Sequence, residues 1–306
     1  MRRILFFSLG GFLLVVLLPY LIVHFGAKES GERIKVYVTE EDAVREMDTE
    51  QYLKEVVAAE MPVEFNKEAL KAQAVAARTY LKSRENKHFD EHKGAVVCTD
   101  YKHCKAWISE EKRKELWEAE KREQYWKKIS DCVNETKNQY IMYNGAAIDA
   151  LFHSTSSGYT ENASDVWGGE VPYLVSVKSD GEELSPRYKS EKTVTVQEFK
   201  DKISEKVENT DWAGDLFSDI ERSEAGGIKT MKAGGVEISG VTLRTIFELR
   251  STNVQLEEKD GNVHFDVKGN GHGVGMSQYG ANYLASTGMG YKDILKHYYT
   301  GTEIVG

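Results

Sequence analysis

Between Val56 and Tyr80 the chain reads "VVAAEMPVEFNKEALKAQAVAARTY", rich in Ala, Val and Leu, with polar residues spaced to leave an apolar stripe. Upstream, "DTEQYLKEVVAAE" opens with Asp48 or Thr49 as an N-cap and carries Tyr52, Leu53, Val56 and Val57 at helical spacing. Pro62 cannot sit in a helix interior, so this helix is predicted to end near Met61. Asn66 is predicted to cap the next helix, which puts Ala69, Leu70, Gln73, Ala74, Ala77 and Tyr80 on one side. Glu60 therefore falls at the break between two helices.

Elsewhere the periodicity changes. "RIKVYVT", Arg33 to Thr39, alternates as a strand does, and Asn144-Gly145 between two apolar runs predicts a β-hairpin. Residues 105–134 are heavily charged, with Trp107, Trp117 and Trp126 marking an amphipathic surface helix. Residues 185–258 have helix and strand signals of their own and read as an inserted or second lobe, leaving 34–184 and 259–306 as the core. The C-terminal stretch is a glycine-rich loop, a helix and a last short helix. The pattern predicts an α+β protein, mixing helices with antiparallel strands around a substrate groove.

The first residues follow another pattern. Met1-Arg2-Arg3 precedes "ILFFSLGGFLLVVLLPYLIV", Ile4 to Val23, an uncharged run long enough to span a bilayer, whereas a signal-peptide core is usually about 7–15 residues. No small-x-small cleavage site follows at once, which favours an uncleaved transmembrane anchor over residues 1–25 to a cleaved signal. A polar linker over 26–33 comes next, and the two arginines place the remainder outside the cytoplasm. Among extracytoplasmic polymers, peptidoglycan heads the list of bacterial substrates.

Over 306 residues, 41% hydrophobic and 29% charged, the net charge is −9, which argues against a nucleic-acid surface. Glu60 sits among small and apolar residues that would desolvate it, and desolvation lets a carboxyl stay protonated as a general acid. The plain alternative is a capping or surface carboxylate. "FHSTSSG" places His153, Ser154 and Ser156 after a strand, but it lacks a nucleophile elbow. "GHGVGMSQYG" lacks the phosphate-loop lysine; its glycines allow positive φ and close approach of an extended polymer, to which His272, Ser277 and Gln278 would offer hydrogen bonds. "HKGAVVCTDYKHC" holds His92, Cys98, His103 and Cys104, a set that suits a tetrahedral structural zinc site. A Cys98–Cys104 disulfide is the competing reading, leaving Cys132 single.

These residues assembled, the chain resembles the stage II sporulation protein D family of lytic transglycosylases over nearly all of 33–306. The specific pieces are "VVAAEMPVEFNKEALKAQAVAARTY", "FHSTSSGYTENASDVW", "VPYLVSVKS", "RSEAGG", "ELRST" and "GHGVGMSQYGA". Amidase-enhancer proteins share the same domain. The resemblance implies that Glu60 is the catalytic acid, that Arg78 contacts substrate, and that Tyr173 and Lys178 line the same groove as Gln73, His153 and Ser154. It implies zinc in the His92/Cys98/His103/Cys104 loop. It further implies peptidoglycan glycan strands, stripped of peptides, as substrate and endospore engulfment as the setting. The expected partners are an amidase or endopeptidase and a membrane protein of the engulfment complex, and the expected place is the mother-cell membrane facing the forespore. Two departures stand out. Ser157-Gly158 replaces a glycine pair, and Asn270 stands where the family carries a tryptophan, which removes an aromatic platform for a sugar.

Overall fold

The structure, a computed structural model, describes residues 32–306 apart from 86 and 88. Strand β1 (Arg33–Val38) buries Ile34, Val36 and Val38 in alternation and pairs antiparallel with β2 (Ala43–Asp48). Asp48 then caps helix α1 (Thr49–Glu60), its carboxylate accepting the Gln51 N–H at 2.9 Å. At Met61 the backbone returns to φ −118° and ψ 142°, as the following proline demands. Asn66 caps α2 (Lys67–Lys82) by accepting the Glu68 N–H at 2.9 Å.

Helix α2 is the central post of the larger core, buried from Ala69 to Leu81 save Lys71. Its alanines at 69, 72, 74, 76 and 77 are small enough for neighbouring helices to approach on several sides at once. Arg78, placed on this helix, is consumed by the scaffold. Its Nε and Nη2 donate to the two Glu50 carboxylate oxygens at 3.2 and 2.7 Å, and Nη1 and Nη2 to the carbonyls of Thr136 and Val133 at 2.8 and 3.1 Å. The side chain ties α1, α2 and the end of a later helix together.

Strand β3 (Val97–Cys98) adds in parallel to β1. The single amphipathic helix expected over 105–134 is two helices, α3 (Glu110–Glu115) and α4 (Arg122–Glu135). The chain turns between them, with Arg122 Nε donating to the Trp117 carbonyl at 3.0 Å and Trp117 packed edge-on to Tyr125 at 5.5 Å. Strands β4 (Tyr140–Tyr143) and β5 (Ala146–Ala147) form the expected hairpin; Asn144 and Gly145 take φ of 49° and 79°, the left-handed pair of a two-residue turn. Strand β6 (Phe152–His153) and helix α5 (Ala163–Trp167) follow.

A second set of buried residues is built around Phe199, Phe247 and Phe265, whose rings lie 4.9 to 6.2 Å apart. It is enclosed by β7 (Lys189–Thr195), α6 (Val196–Lys206), β8 (Phe217–Arg222), β9 (Ile228–Ala233), β10 (Val236–Ser239), α7 (Gly240–Ile246), β11 (Val254–Lys259) and β12 (Asn262–Lys268). The sheets run β11-β12-β7 and β10-β9-β8, all antiparallel. β7 enters this region and β12 leaves it as paired neighbours, Lys189 opposite Lys268, so the segment closes at its own neck. Buried Val263, Phe265 and Val267 of β12 carry this core beyond residue 258.

Back in the larger core, β13 (Met276–Ser277) pairs in parallel with β6 and leads into α8 (Gln278–Ser286), α9 (Tyr291–Tyr298) and β14 (Glu303–Val305). Mixed helices and mainly antiparallel strands make this an α+β protein. Among the described residues no helix is long and apolar enough to cross a membrane. The membrane-anchored location expected from Ile4–Val23 is corrected accordingly: no anchor is shown, and that segment lies outside the described residues.

Removing a partner from a buried ion pair leaves an uncompensated group, at a cost of about 3–5 kcal/mol. Arg78→Met is therefore expected to lower the unfolding free energy by roughly that amount, discounted for the partial exposure of Glu50. Urea unfolding measures it, and a loss under about 1 kcal/mol would show that Arg78 is not a structural tie.

Candidate active site

Helix α1 delivers Glu60 to its own C-terminal end, beside Lys105 and Ala106 on the loop after β3. Two carboxylates of α1 clasp that loop. Glu55 accepts the Trp107 indole N–H at 2.8 Å and the Glu110 N–H at 3.2 Å, and Glu60 Oε1 accepts the Ala106 N–H at 2.9 Å. Glu60 Oε2 lies 3.4 Å from Gln278 Nε2, a donor that also lies 3.4 Å from Gln73 Oε1. Burial raises the Glu60 carboxyl above its ordinary value; the Lys105 charge, the Ala106 N–H and Gln278 pull partly against it. The C-terminal end of a helix adds to the same tendency, because its partial charge is negative.

Lys105 is itself buried, its ammonium 3.8 Å from the Phe152 ring centre and 4.3 Å from that of Tyr80. Burial brings its pKa down to about 8, the Glu60 carboxylate opposing the fall. Glu60, Lys105 and Gln278 border one cavity of about 590 Å³, together with His153, Ser154, His272, Trp167 and the basic side chains Arg84, Lys102, Arg187 and Arg244. Among its lining residues Glu60 is the single carboxylate.

The glycine-rich loop reaches this cavity because it lies against β6. A Cβ on Gly271, at φ 125°, would meet the His153 Cβ at 2.6 Å, and one on Gly275, at φ 74°, would meet the Leu151 carbonyl oxygen at 2.2 Å. The close approach that these glycines permit is thus to the chain's own strand. His272 accepts the Val274 N–H on Nδ1 at 3.1 Å and donates from Nε2 to the Phe152 carbonyl at 3.1 Å. His153 donates from Nδ1 to the Val274 carbonyl at 3.2 Å, which leaves its buried Nε2 an acceptor without a partner among the described residues. Burial holds both rings neutral, His153 down to about 4 and His272 well below its usual value.

Other residues singled out in the sequence lie elsewhere. Ser156 and Ser277 are buried in the support of the site: Ser156 donates to Glu182 at 2.7 Å, and Ser277 caps α8 by accepting the Gly280 N–H at 3.2 Å. Tyr173 accepts the Asp149 N–H on its hydroxyl at 3.1 Å and packs on Tyr143. Lys178 is exposed and paired with Asp180 at 2.9 Å. With Arg78, neither Tyr173 nor Lys178 lines the cavity. Two nearby acids are likewise engaged outside it, Glu161 accepting the Gly227 N–H at 3.2 Å and Asp165 pairing with Lys229 at 3.1 Å. Sequence reasoning gave no site role to Lys105, Trp167, Arg187 or Arg244; Lys105 carried a local signal as the neighbour of a candidate metal ligand, and Trp167 as the last residue of "FHSTSSGYTENASDVW".

His92, Cys98, His103 and Cys104 converge, with all four ligand atoms within 4.8 Å of one another. His92 Nε2 stands 2.9 Å from His103 Nδ1, and the Cys98 and Cys104 sulfurs lie 3.4 to 3.8 Å from those nitrogens. Tetrahedral bonds of about 2.0–2.3 Å imply separations of about 3.3–3.8 Å, which these sulfur–nitrogen distances match while the two nitrogens stand closer, so the donor set could hold a metal ion. Both cysteines are free thiols, and burial pushes Cys98 up to about 12. His103 and Cys104 also border the cavity of Glu60.

Comparison with known proteins agrees with the motifs. A family model described as Stage II sporulation protein matches residues 37–143. The chain is 39% identical over 279 residues to stage II sporulation protein D of Bacillus amyloliquefaciens, covering 90% of this chain and 80% of that one. It is 38% identical to stage II sporulation protein D of Bacillus subtilis (strain 168), again over 279 residues and with the same coverage. An amidase enhancer of Bacillus subtilis (strain 168) is 28% identical over 306 residues, spanning 82% of this chain but 40% of that protein. This chain belongs to the stage II sporulation protein D family.

Proposed function

We propose that the protein is a peptidoglycan lytic transglycosylase acting in sporulation, with the 590 Å³ cavity as its substrate groove and Glu60 as its one acid–base group. The observation that carries this reading is the solitary carboxyl. Hydrolysis by the usual route needs two carboxyl groups, one as acid and one as base or nucleophile. Among the residues lining the cavity there is one, and its surroundings favour the protonated form.

Protonated Glu60 donates to the glycosidic oxygen between N-acetylmuramic acid and N-acetylglucosamine as the C1–O bond breaks. The carboxylate left behind is stabilised by the Ala106 N–H, by Gln278 and by the nearby Lys105 charge. It then takes the proton of the muramyl C6 hydroxyl as that oxygen attacks C1 and closes a 1,6-anhydro ring. No water is consumed, and Glu60 ends protonated as it began. His153 Nε2 is a neutral acceptor available to a sugar hydroxyl.

His92, Cys98, His103 and Cys104 are proposed to hold a structural zinc ion. Bound there, zinc would fix the loop between Cys98 and Ala106, and with it the N–H that orients Glu60. The amidase enhancer among the relatives supports an amidase as a partner, and stripped wall glycan as the substrate is part of the same proposal.

Digestion of peptide-free glycan strands is expected to release 1,6-anhydro-muramyl ends. Glu60→Gln should lower turnover by roughly 10²–10⁴ while the protein still folds and binds glycan. Turnover should fall as pH rises through the Glu60 pKa, at a midpoint above that of an ordinary glutamate, because the acid form is the reactive one. Reducing muramyl ends would mean hydrolysis instead. Glycan binding with no products, accompanied by stimulation of an amidase, would favour a non-catalytic enhancer.

Metal analysis of protein purified anaerobically is expected to find about one zinc per chain, lost in Cys98→Ser and His103→Ala together with several degrees of melting temperature. A Cys98–Cys104 disulfide in a metal-free protein, seen by mass spectrometry, would overturn the assignment.

A further inference from the structure

The cavity has a charge of its own. The chain carries 49 acidic and 40 basic residues, yet Arg84, Lys102, Lys105, Arg187 and Arg244 border the cavity against the lone Glu60. Lys105 is beside Glu60 and enclosed by rings, so it is accounted for. The two arginines contributed from the segment after β6 are not. Arg187 is exposed, and its guanidinium has no hydrogen bond or ion pair among the described residues. Arg244 is half-buried on α7 and spends only Nε, on the Leu249 carbonyl at 3.2 Å. It borders the same cavity as His153 and His272. There too lies Trp167, 51% exposed at the end of α5, its ring centre 5.4 Å from that of His272.

We infer that Trp167, Arg187 and Arg244 form a subsite for a sugar bearing a free carboxylate. This rests on the proposed function, and within it the ligand is a muramic acid whose lactyl group carries no peptide. The exposed indole offers a flat apolar plate to the C–H face of a pyranose ring. The guanidinium fork matches a carboxylate and carries a charge that no acid among the lining residues neutralises. A lactyl group joined to a stem peptide is an amide; it has lost the charge that the arginines meet. Selectivity for stripped strands then follows from recognition at this subsite, independently of the chemistry at Glu60. Trp167 also supplies an aromatic surface in a site where Asn270, another lining residue, offers none.

The test uses the full chain carrying Glu60→Gln, so that binding is measured without cleavage. Two glycan oligomers of equal length are compared by calorimetry, one with free lactyl carboxylates and one with each converted to its methyl amide. The acid form is expected to bind about 10- to 100-fold more tightly, the range of a charge-assisted hydrogen bond, and to lose that advantage at high salt. Arg187→Gln, an exposed change that should leave the fold intact, and Arg244→Gln should each bring the ratio down toward one; Arg244→Lys should restore part of it. Trp167→Ala should weaken both ligands alike and leave the ratio standing. Equal affinities for the two oligomers, or a ratio unmoved by both glutamine variants, would overturn the subsite while leaving the proposed function in place. Failure of either oligomer to bind, with no anhydro products from the unsubstituted enzyme, would overturn the proposed function and the subsite together.

Discussion

The site depends on one hydrogen bond, from the Ala106 N–H to Glu60 Oε1 at 2.9 Å. A carboxyl group at the C-terminal end of a helix is poorly placed as an anion, and burial makes it worse. Only neutral donors and one offset ammonium answer it, enough to orient the group and, on the proposed function, to stabilise the carboxylate left after proton transfer. A direct arginine pair would have held it permanently ionised and removed the acid. The contacts around Glu60 hold it in place without a direct ion pair. Glu55 anchors the Ala106 loop from one side, the His/Cys cluster gathers it from the other, and Met61-Pro62 ends the helix where the carboxyl must stand.

The second half of the site is brought across by backbone packing. The parallel pairing of Met276 with Phe152 and Ser277 with His153 lays the glycine-rich loop along β6. That pairing is possible because Gly271 and Gly275 leave room for His153 and Leu151. Behind it sits a buried polar knot in which Glu182 accepts from the Ser156 N–H, the Ser156 hydroxyl and the Ser179 hydroxyl at 2.5 to 3.1 Å. A Cβ on Gly280 would collide with Ser179 and Tyr298 at 2.2 Å, so the first turn of α8 is seated flush against the knot. Gln278, on that turn, thereby reaches both Glu60 and Gln73.

Local chemistry was legible and long-range placement was not. Asp48, Asn66, Pro62 and Asn144-Gly145 act on their own neighbours, and each does what its sequence context predicts. Glu60 was visible for the same reason, because the residues that desolvate it stand beside it in the chain. Arg78, Tyr173, Lys178, Ser156 and Ser277 were marked by motif alone, and a motif cannot tell whether a side chain faces the cavity or braces it. Arg78 braces it, through Glu50 and two carbonyls that lie more than fifty positions along the chain. Arg187 and Arg244 carry no local pattern and Trp167 closes a motif that gives it no role, since what joins the three is the convergence of α5, α7 and the segment before β7. The charged run over 105–134 had the composition of one helix, but its turn at Trp117 is set by contacts with Tyr125 and Arg122 that periodicity does not encode.

A buried donor or acceptor with no partner costs about 1–3 kcal/mol, so a folded chain retains few of them. Among the described residues, the Nε atom of Arg84, Nε2 of His153, Nε2 of Gln73, Nδ1 of His92, Nε of Arg113 and Oδ1 of Asp149 are such atoms. The first two belong to side chains that border the cavity, and the third belongs to a side chain held by Gln278, which also borders it. The scaffold beneath shows the opposite habit, with Arg78, Glu182 and Glu55 each engaged by several partners. The atoms of His92, Arg113 and Asp149 belong to side chains that do not line the cavity, so unpartnered atoms are not confined to it, but those of Arg84 and His153 are the ones a ligand there would meet. On the proposed function, a glycan dense in hydroxyls and amides would use that capacity, donating to His153 Nε2 and accepting from Arg84 Nε and Gln73 Nε2.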